Sequence, residues 1–593
     1  MARQNYLFWI HNGKPKHGQI FYDMYRSRLE FKYSLRKCKL SEDQHRADAL
    51  ARDMNRKDYV QFWKKVSQIN NNKTQRAEVI GEAVGEKQIT EAWYEYYYKL
   101  LNEGSAERLG ILSNMVCSDN YEKLCITVVE VENQIHKLKH GKAGGYDGIC
   151  GEHLRYAGKR LHTLLSLCLT KMCSHGFMPC NLMKTIIVPL VKNKAGDLQD
   201  MNNYRPIALA GIVSKIFEKV LLLRCNDNLS TVCNQFGFKK NHSTDLCIFS
   251  LKELLHKYIT KSSPVFICFL DASKAYDRVN HCTLFRILLD RGIPLYIVRV
   301  LKYWYQFQVM CVQWGSTKSA FFQVTNGVRQ GGVLSPALFN VYIDQISRKL
   351  NNKVNIGCSI GNVVVNNLVY ADDMCLMAPS AKGLQELIDI CLIEAKKLNI
   401  LYNMKKTVCM CVQPKKWKLN RLPVLYLDGS KIEYVVKYKY LGYFIFNDLT
   451  DDADVQRQIR SMYSRANMLL RKFGKCSKDV KVQLFKSYLG NTYCSQLWAN
   501  VKRTQIQKLK IAYNNSLRIF FNLPRMCSIS NMFVTIGIPS YAEFSRKEIY
   551  SFWKRVEGSE NLIVNSLAGS WVMFMDLSIF DRWYATLYGL NSA

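Results

Sequence analysis

The sequence predicts a multidomain α+β protein whose antiparallel sheet core is flanked by helical N- and C-terminal regions. Three observations carry this expectation. At 593 residues the chain is too long for one hydrophobic core, and 48% hydrophobic with 12% aromatic residues is ample for several. Short apolar runs such as Val265-Phe266-Ile267-Cys268-Phe269-Leu270 and Met374-Cys375-Leu376-Met377-Ala378 have the length and composition of strands. Between them lie longer stretches with apolar residues at helical spacing.

Lys and Arg total 83 against 48 Asp and Glu, a formal net charge of +35 spread through most of the chain. A polyanion is the expected partner, and nucleic acid fits best because neutralising phosphates releases counterions. No apolar run reaches the length of a membrane span, no amphipathic anchor is evident, and no membrane partner is expected. The 21 cysteines sit singly inside apolar runs, as in Leu167-Cys168-Leu169 and Ile267-Cys268-Phe269. They read as buried reduced thiols in a reducing intracellular compartment. No Cys-x-x-Cys pair occurs, which argues against a zinc knuckle, and Cys409-Met410-Cys411 reads as alternate faces of one strand.

Residues 1 to about 70 form a basic helical arm, with Tyr25, Leu29 and Leu35 among Arg26, Arg28, Lys32, Arg36 and Lys37, followed by Phe62-Trp63-Lys64-Lys65. Asn70-Asn71-Asn72-Lys73 reads as a linker. The aromatic helix after it, with Trp93, Tyr94, Tyr96, Tyr97 and Tyr98, suits either stacking on bases or packing on a neighbouring domain, and packing is favoured. A helix from Val128 to Leu138 ends in His140-Gly141-Lys142-Ala143-Gly144-Gly145-Tyr146-Asp147-Gly148, a flexible cationic loop able to approach a phosphate backbone. A helix near Leu161 to Met172 and a strand over Thr185 to Lys192 follow, and Lys194 and Asn203-Tyr204-Arg205-Pro206-Ile207 add cations. A further helix, Val213 to Leu223, precedes Asn234-Gln235-Phe236-Gly237-Phe238.

Three carboxylates organise the rest. The apolar run from Val265 ends at Asp271, where a charge needs a partner, and Asp277 further on reads as a helix-start acid. Asn326-Gly327-Val328-Arg329-Gln330-Gly331-Gly332 leads into a helix from Ala337 to Ile346, so its backbone amides can approach a ligand. Tyr370-Ala371-Asp372-Asp373 lies between two apolar runs, where a hairpin turns. Adjacent acids there are either a solvated turn or half of a site for a divalent cation.

In this order the motifs resemble a reverse transcriptase: Phe269-Leu270-Asp271 through Tyr276, Arg329-Gln330-Gly331 through Pro336, and Tyr370-Ala371-Asp372-Asp373. Val188-Pro189-Leu190, Asn203 to Ile207, Gln235-Phe236-Gly237-Phe238, Asn403-Met404-Lys405-Lys406-Thr407 and Tyr440-Leu441-Gly442 extend the resemblance to enzymes of non-LTR (LINE-type) retrotransposons, over roughly residues 120 to 530. It implies a right-hand polymerase fold: an N-terminal extension (1–119), fingers (120–260), palm (261–446), helical thumb (447–530) and a C-terminal region of unassigned role (531–593). In the thumb, the apolar set Ile459, Met462, Ala466, Leu469, Leu470 and Phe473 marks a one-sided basic helix.

The implied activity is RNA-directed DNA synthesis: deoxynucleotides are added to a DNA 3′-hydroxyl on an RNA template by a two-metal mechanism, in target-primed reverse transcription. Asp271, Asp372, Asp373 and the carbonyl of Ala272 would hold magnesium, with manganese as a substitute. Tyr276 would exclude ribonucleotides, Gln330 and Gly331 would touch the incoming nucleotide, and Lys192 and Arg205 its triphosphate. Lys406, or its neighbour Lys405, would protonate pyrophosphate. Lys142, Phe236, Gly237, Phe238, Arg329, Tyr440, Leu441 and Gly442 are expected along the template and primer. The family's loop often carries prolines where this chain has Gly144 and Tyr146, which questions the loop's rigidity. No endonuclease, RNase H or protease motif is evident, so integration would need a nick made elsewhere or a longer parent protein. Family habit implies a nuclear site of action with a cytoplasmic ribonucleoprotein stage. The rival reading is a retroelement-derived nucleic-acid-binding protein that no longer catalyses.

Overall fold

A computed structural model describes residues 1–70, 76–103, 124–414, 419, 421–490, 492–569 and 579–588. The chain divides into two compact units. One gathers residues 1–75, 451–551 and 583–593; the other gathers 76–450 and 552–582. This division cuts across the expected 1–119 extension, whose first part belongs with the helices after 450 while its aromatic helix belongs with the sheets.

The larger unit holds two five-stranded sheets. In the first, the strand Lys184–Val191 pairs antiparallel with Tyr204–Ala210 and parallel with Val309–Trp314, which also carries two short strands, Thr317–Lys318 and Phe322–Gln323. The helix Glu86–Leu101 covers one face. Its Trp93 and Tyr97 are buried, with the Trp93 ring 5.0 Å from Tyr204 and 6.1 Å from Trp314. Tyr94, Tyr96 and Tyr98 flank that core, so the aromatic stripe packs as favoured.

The second sheet runs Asn367–Tyr370, Asp373–Ala378, Val265–Leu270, Val408–Val412, Glu433–Tyr434. It is antiparallel except for its last pair, which is parallel. Every residue of Val265–Leu270 is buried because both faces are covered. Phe266, Cys268 and Leu270 join the core with Phe339 and Leu384 from the helices Ser335–Asn351 and Ala381–Lys397. On the other face, Phe269 stacks on Tyr438 of the hairpin Lys437–Tyr440/Tyr443–Phe446 at 4.1 Å. A continuous apolar run is what such double coverage demands.

Residues 552–569, given no role from sequence, dock within this unit. Arg555 pairs with Asp245 at 2.6 Å, and the Asn561 amide donates to the Cys233 carbonyl at 2.7 Å. Trp571 and Phe574 lie outside the described residues.

The smaller unit is helical: Ala2–His11, Gln19–Asn55, Tyr59–Asn70, then Asp452–Phe473, Lys478–Tyr488, Arg503–Phe521 and Ile529–Ile536. In Asp452–Phe473 the predicted stripe is buried at Met462, Ala466, Leu469 and Phe473. Asp454, buried at its start, accepts from the Trp498 indole at 3.0 Å and pairs with Arg457 at 2.8 Å. Cys268, Cys409 and Cys411 are buried free thiols, but Cys168 is exposed. Its leucine neighbours Leu164 and Leu167 share the solvent side of helix Lys159–His175, so apolar sequence neighbours misled there.

Candidate active site

Asp271 follows the end of strand Val265–Leu270, and Asp373 opens strand Asp373–Ala378. The register pairs Met374 with Leu270, so one step along the same ladder sets Asp373 opposite Asp271. Ala371 and Asp372 form the two-residue turn between Tyr370 and its partner Asp373. Such turns require positive φ, and Ala371 adopts φ 58°. Asp271 and the Asp372-Asp373 turn are therefore brought to the same end of this sheet from chain segments about a hundred residues apart.

Their electrostatics follow. Burial, then the charges of Asp372 and Asp271, push the Asp373 carboxyl up to about 6. Asp372 is raised by burial and by Asp271, while Arg205 and Lys192 act in the opposite sense. Like charges set opposite one another repel, and a divalent cation held by these hard oxygens would remove the repulsion. The donor set fits such an ion, although among the described residues no three acidic, His or Cys side chains close around one point. Asp271 instead has the Lys406 ammonium at 3.8 Å.

Lys406 is delivered there by a backbone tie. The amide of Asn403 donates to the Asp271 carbonyl at 2.8 Å, and the amides of Lys406 and Thr407 donate to the Asn403 carbonyl. Ala272 forms a β-bridge with Tyr402 beside it.

Cations gather across from the acids. Lys192 is lowered by partial burial and then by Arg205, Lys274 and Lys406, while Asp277 opposes these. Lys274, which the sequence reading passed over, donates to the Tyr96 hydroxyl at 2.7 Å and lies 4.8 Å over that ring. The Tyr276 ring stacks on Phe339 at 4.2 Å, and Phe238 approaches edge-on at 6.4 Å. Gly331 has φ 117°, and a Cβ there would lie 2.8 Å from the Ala208 carbonyl, so only glycine fits. The Gln330 carbonyl accepts from the Ala208 amide at 2.7 Å, and the Gln330 side-chain amide donates to Asp277 at 2.9 Å.

Several expected template or primer contacts turn out to be supports. Arg329 is buried: it pairs with Glu218 at 2.5 Å and lies 4.0 Å over the Trp304 ring, so it braces the glycine-rich loop from behind. Phe236 is fully buried, its amide donating to the Val369 carbonyl at 2.8 Å. Gly237 lies against the acidic turn, where a Cβ would stand 2.4 Å from the Ala371 nitrogen. Tyr440 is buried with its hydroxyl 3.3 Å from the Cys247 sulfur, while Leu441 (φ 46°) and Gly442 (φ 88°) make a hairpin turn. Lys142 and Phe238 are exposed.

The glycine loop near Lys142 is anchored without prolines. A Cβ on Gly145 would meet the Gly211 Cα at 2.6 Å, and the Tyr146 ring packs on Phe321 at 5.1 Å with Lys184 and Lys318 over it. Three residues act as supports whose partners the sequence does not show: Gln235, Glu218 and Asp277. Asp277 does lie in the first turn of a helix, the 3-10 helix Ala275–Arg278, but it is buried, and burial pushes its carboxyl up to about 6.

Comparison with known proteins bears on this arrangement. Residues 191–445 match the family described as "Reverse transcriptase (RNA-dependent DNA polymerase)". This stretch is a reverse transcriptase domain. It contains every carboxylate and cation of the site just described except Lys142 and Lys184 at the outlying loop.

The chain is 24% identical over 457 residues to the RNA-directed DNA polymerase from mobile element jockey of Drosophila funebris, covering 74% of this chain and 49% of that protein. It is 23% identical over 459 residues to the probable RNA-directed DNA polymerase from transposon X-element of Drosophila melanogaster, covering 74% and 48%. The Pol polyprotein of type-2 retrotransposable element R2DM, from the same fly, is 26% identical over 330 residues, covering 54% and 30%. The chain thus spans about half the length of the first two relatives.

Proposed function

We propose that the chain is an RNA-directed DNA polymerase of LINE type, adding deoxynucleotides to a DNA 3′-hydroxyl on an RNA template during target-primed reverse transcription. The observation that carries this reading is the register that brings Asp373 to the strand end where Asp271 follows, with Asp372 at the adjoining turn, Arg205 acting on Asp372 and Asp373, and Lys192 acting on Asp372.

Asp271, Asp372, Asp373 and the Ala272 carbonyl would hold magnesium, or manganese in its place. The bound ions would activate the primer hydroxyl and neutralise the triphosphate. Lys192, Arg205 and Lys274 bind and orient the phosphates. Tyr276, rigid against Phe339, walls the sugar side and disfavours a ribose 2′-hydroxyl. Gln330 and the glycine at 331 let the loop approach the nucleotide closely. Lys406, beside Asp271, donates a proton to departing pyrophosphate.

In this reading the second sheet with its acidic hairpin is the palm, the first sheet with Lys192 and Arg205 belongs to the fingers, and the helix Asp452–Phe473 opens the thumb. The exposed Lys142 and Phe238 remain as template or primer contacts. An endonuclease activity, on a separate protein or on a longer parent protein, would supply the nick, and the work would be done in the nucleus.

The test is extension of a DNA primer annealed to an RNA template, with deoxynucleotides and magnesium. Lengthening of the primer on the RNA template is expected. Binding of the duplex in a salt-dependent way without any extension, in either metal, would replace this reading with that of a binding protein.

A further inference from the structure

We propose that Asp277 is a positioning residue for nucleotide binding, which fixes the side-chain amide of Gln330 so that its carbonyl oxygen is the polar end left for the incoming nucleotide. This rests on the polymerase reading above.

Gln330 is held at two levels. Its backbone carbonyl accepts from Ala208, and the loop before it is stitched to the turn that carries Asp277: the Val328 amide donates to the Tyr276 carbonyl at 2.9 Å and the Gly327 amide to the Val279 carbonyl at 2.8 Å. His281 contacts the Gly327 carbonyl at 2.8 Å, and Asn280 bridges to Asn326. Gly327 is pressed so closely on this turn that a Cβ would lie 2.9 Å from the Asp277 carbonyl. Those contacts fix the backbone on both sides and leave the half-buried Gln330 side chain free to rotate. The Nε2 to Asp277 bond at 2.9 Å removes that freedom.

A carboxylate only accepts, so it selects one face of the amide: nitrogen inward, oxygen outward. An apolar residue at 277 would allow either face. A buried charge is costly, and Lys274, Lys192 and Arg278 all act to keep Asp277 ionised, so the fold retains the acceptor at a site where a neutral side chain would pack more cheaply. The same turn carries Tyr276, so the nucleotide's sugar wall and the Gln330 anchor move as one body.

The experiment is steady-state primer extension on an RNA template, comparing the parent, Asp277→Ala, Asp277→Asn, Gln330→Ala and the Asp277→Ala, Gln330→Ala double variant. Loss of one oriented hydrogen bond predicts a rise of about 5- to 30-fold in KM for deoxynucleotide in Asp277→Ala, with kcat within about twofold of the parent. Asp277→Asn, which keeps an acceptor oxygen and packs in the same volume, restores KM. Gln330→Ala raises KM as well, and the double variant is no worse than Gln330→Ala alone. An unchanged KM in Asp277→Ala, a fall confined to kcat, or full additivity in the double variant overturns the proposal while extension by the parent leaves the polymerase reading standing. A parent that extends nothing overturns both.

Discussion

The side-chain oxygen of Gln235 accepts the backbone amide of Ala371 at 3.0 Å, and so holds the acidic turn at its strained residue. The same oxygen accepts from the Gly237 amide at 2.7 Å. Ala371 is the turn residue with positive φ, a conformation costing about 1 kcal/mol or more for a residue with a Cβ. A buried glutamine thus decides where Asp372 and Asp373 point. Replacing it by leucine leaves two amides without an acceptor. Gln235→Leu is expected to lose about 1–3 kcal/mol in urea unfolding and at least tenfold in extension rate, with duplex affinity unchanged.

Gly237 tests the same contact from the other side. In Gly237→Ala the new methyl must displace the Ala371 backbone, not a mobile side chain. Overpacking of this kind costs about 1–3 kcal/mol. The variant is expected to fold, as read by circular dichroism, and to lose most of its extension activity.

The buried pair Arg329 and Glu218 braces the glycine-rich loop, since Glu218 also accepts the Val333 amide at 2.6 Å. Removing one partner strands the other charge. Arg329→Met and Glu218→Gln are each expected to lower stability by about 3–5 kcal/mol, seen as a lower Tm, and the pair changed together is expected to lose less than the sum.

Asp277 gives the fold a pH signature. Its carboxyl is raised to about 6, so the folded protein bears the cost of a buried charge above that pH and sheds it as the group protonates on acidification. Asp277→Asn never bears it. The variant is expected to be more stable than the parent by about 3 kcal/mol at pH 8, an advantage that shrinks as pH falls through about 6 and is gone near pH 4. Denaturant titrations at several pH values would measure this, and equal stability at pH 8 would contradict it.

What the sequence made legible was local. Asp271 stands at the end of an unbroken apolar run, and Asp372-Asp373 stands between two such runs, so strand length and turn chemistry alone located both. The stripe in Asp452–Phe473 and the packing of Trp93 followed from helical spacing in the same way. The supports were invisible because their partners are remote: Gln235 meets Ala371 136 residues on, and Glu218 meets Arg329 111 residues on. Arg329 illustrates the cost. In sequence it adjoins Gln330 and reads as a contact for nucleic acid, whereas in the fold it points to the opposite side of the loop. Cys168 fails for a related reason, since leucines beside it in sequence do not make its helix face a buried one. The grouping of residues 1–75 with 451–551 had no local signal either.

Asp271, Asp372 and Asp373 are proposed to perform nucleotidyl transfer. The most direct measurement is single-turnover extension of an RNA-templated DNA primer by the parent and by Asp271→Asn and Asp372→Asn, at protein concentrations that saturate the duplex for all three. One-nucleotide extension by the parent is expected, with a loss of at least about a thousandfold in each variant and duplex affinity within about twofold, because an amide keeps the shape but not the charge that a divalent ion requires. Extension by either variant at a rate within tenfold of the parent would contradict it.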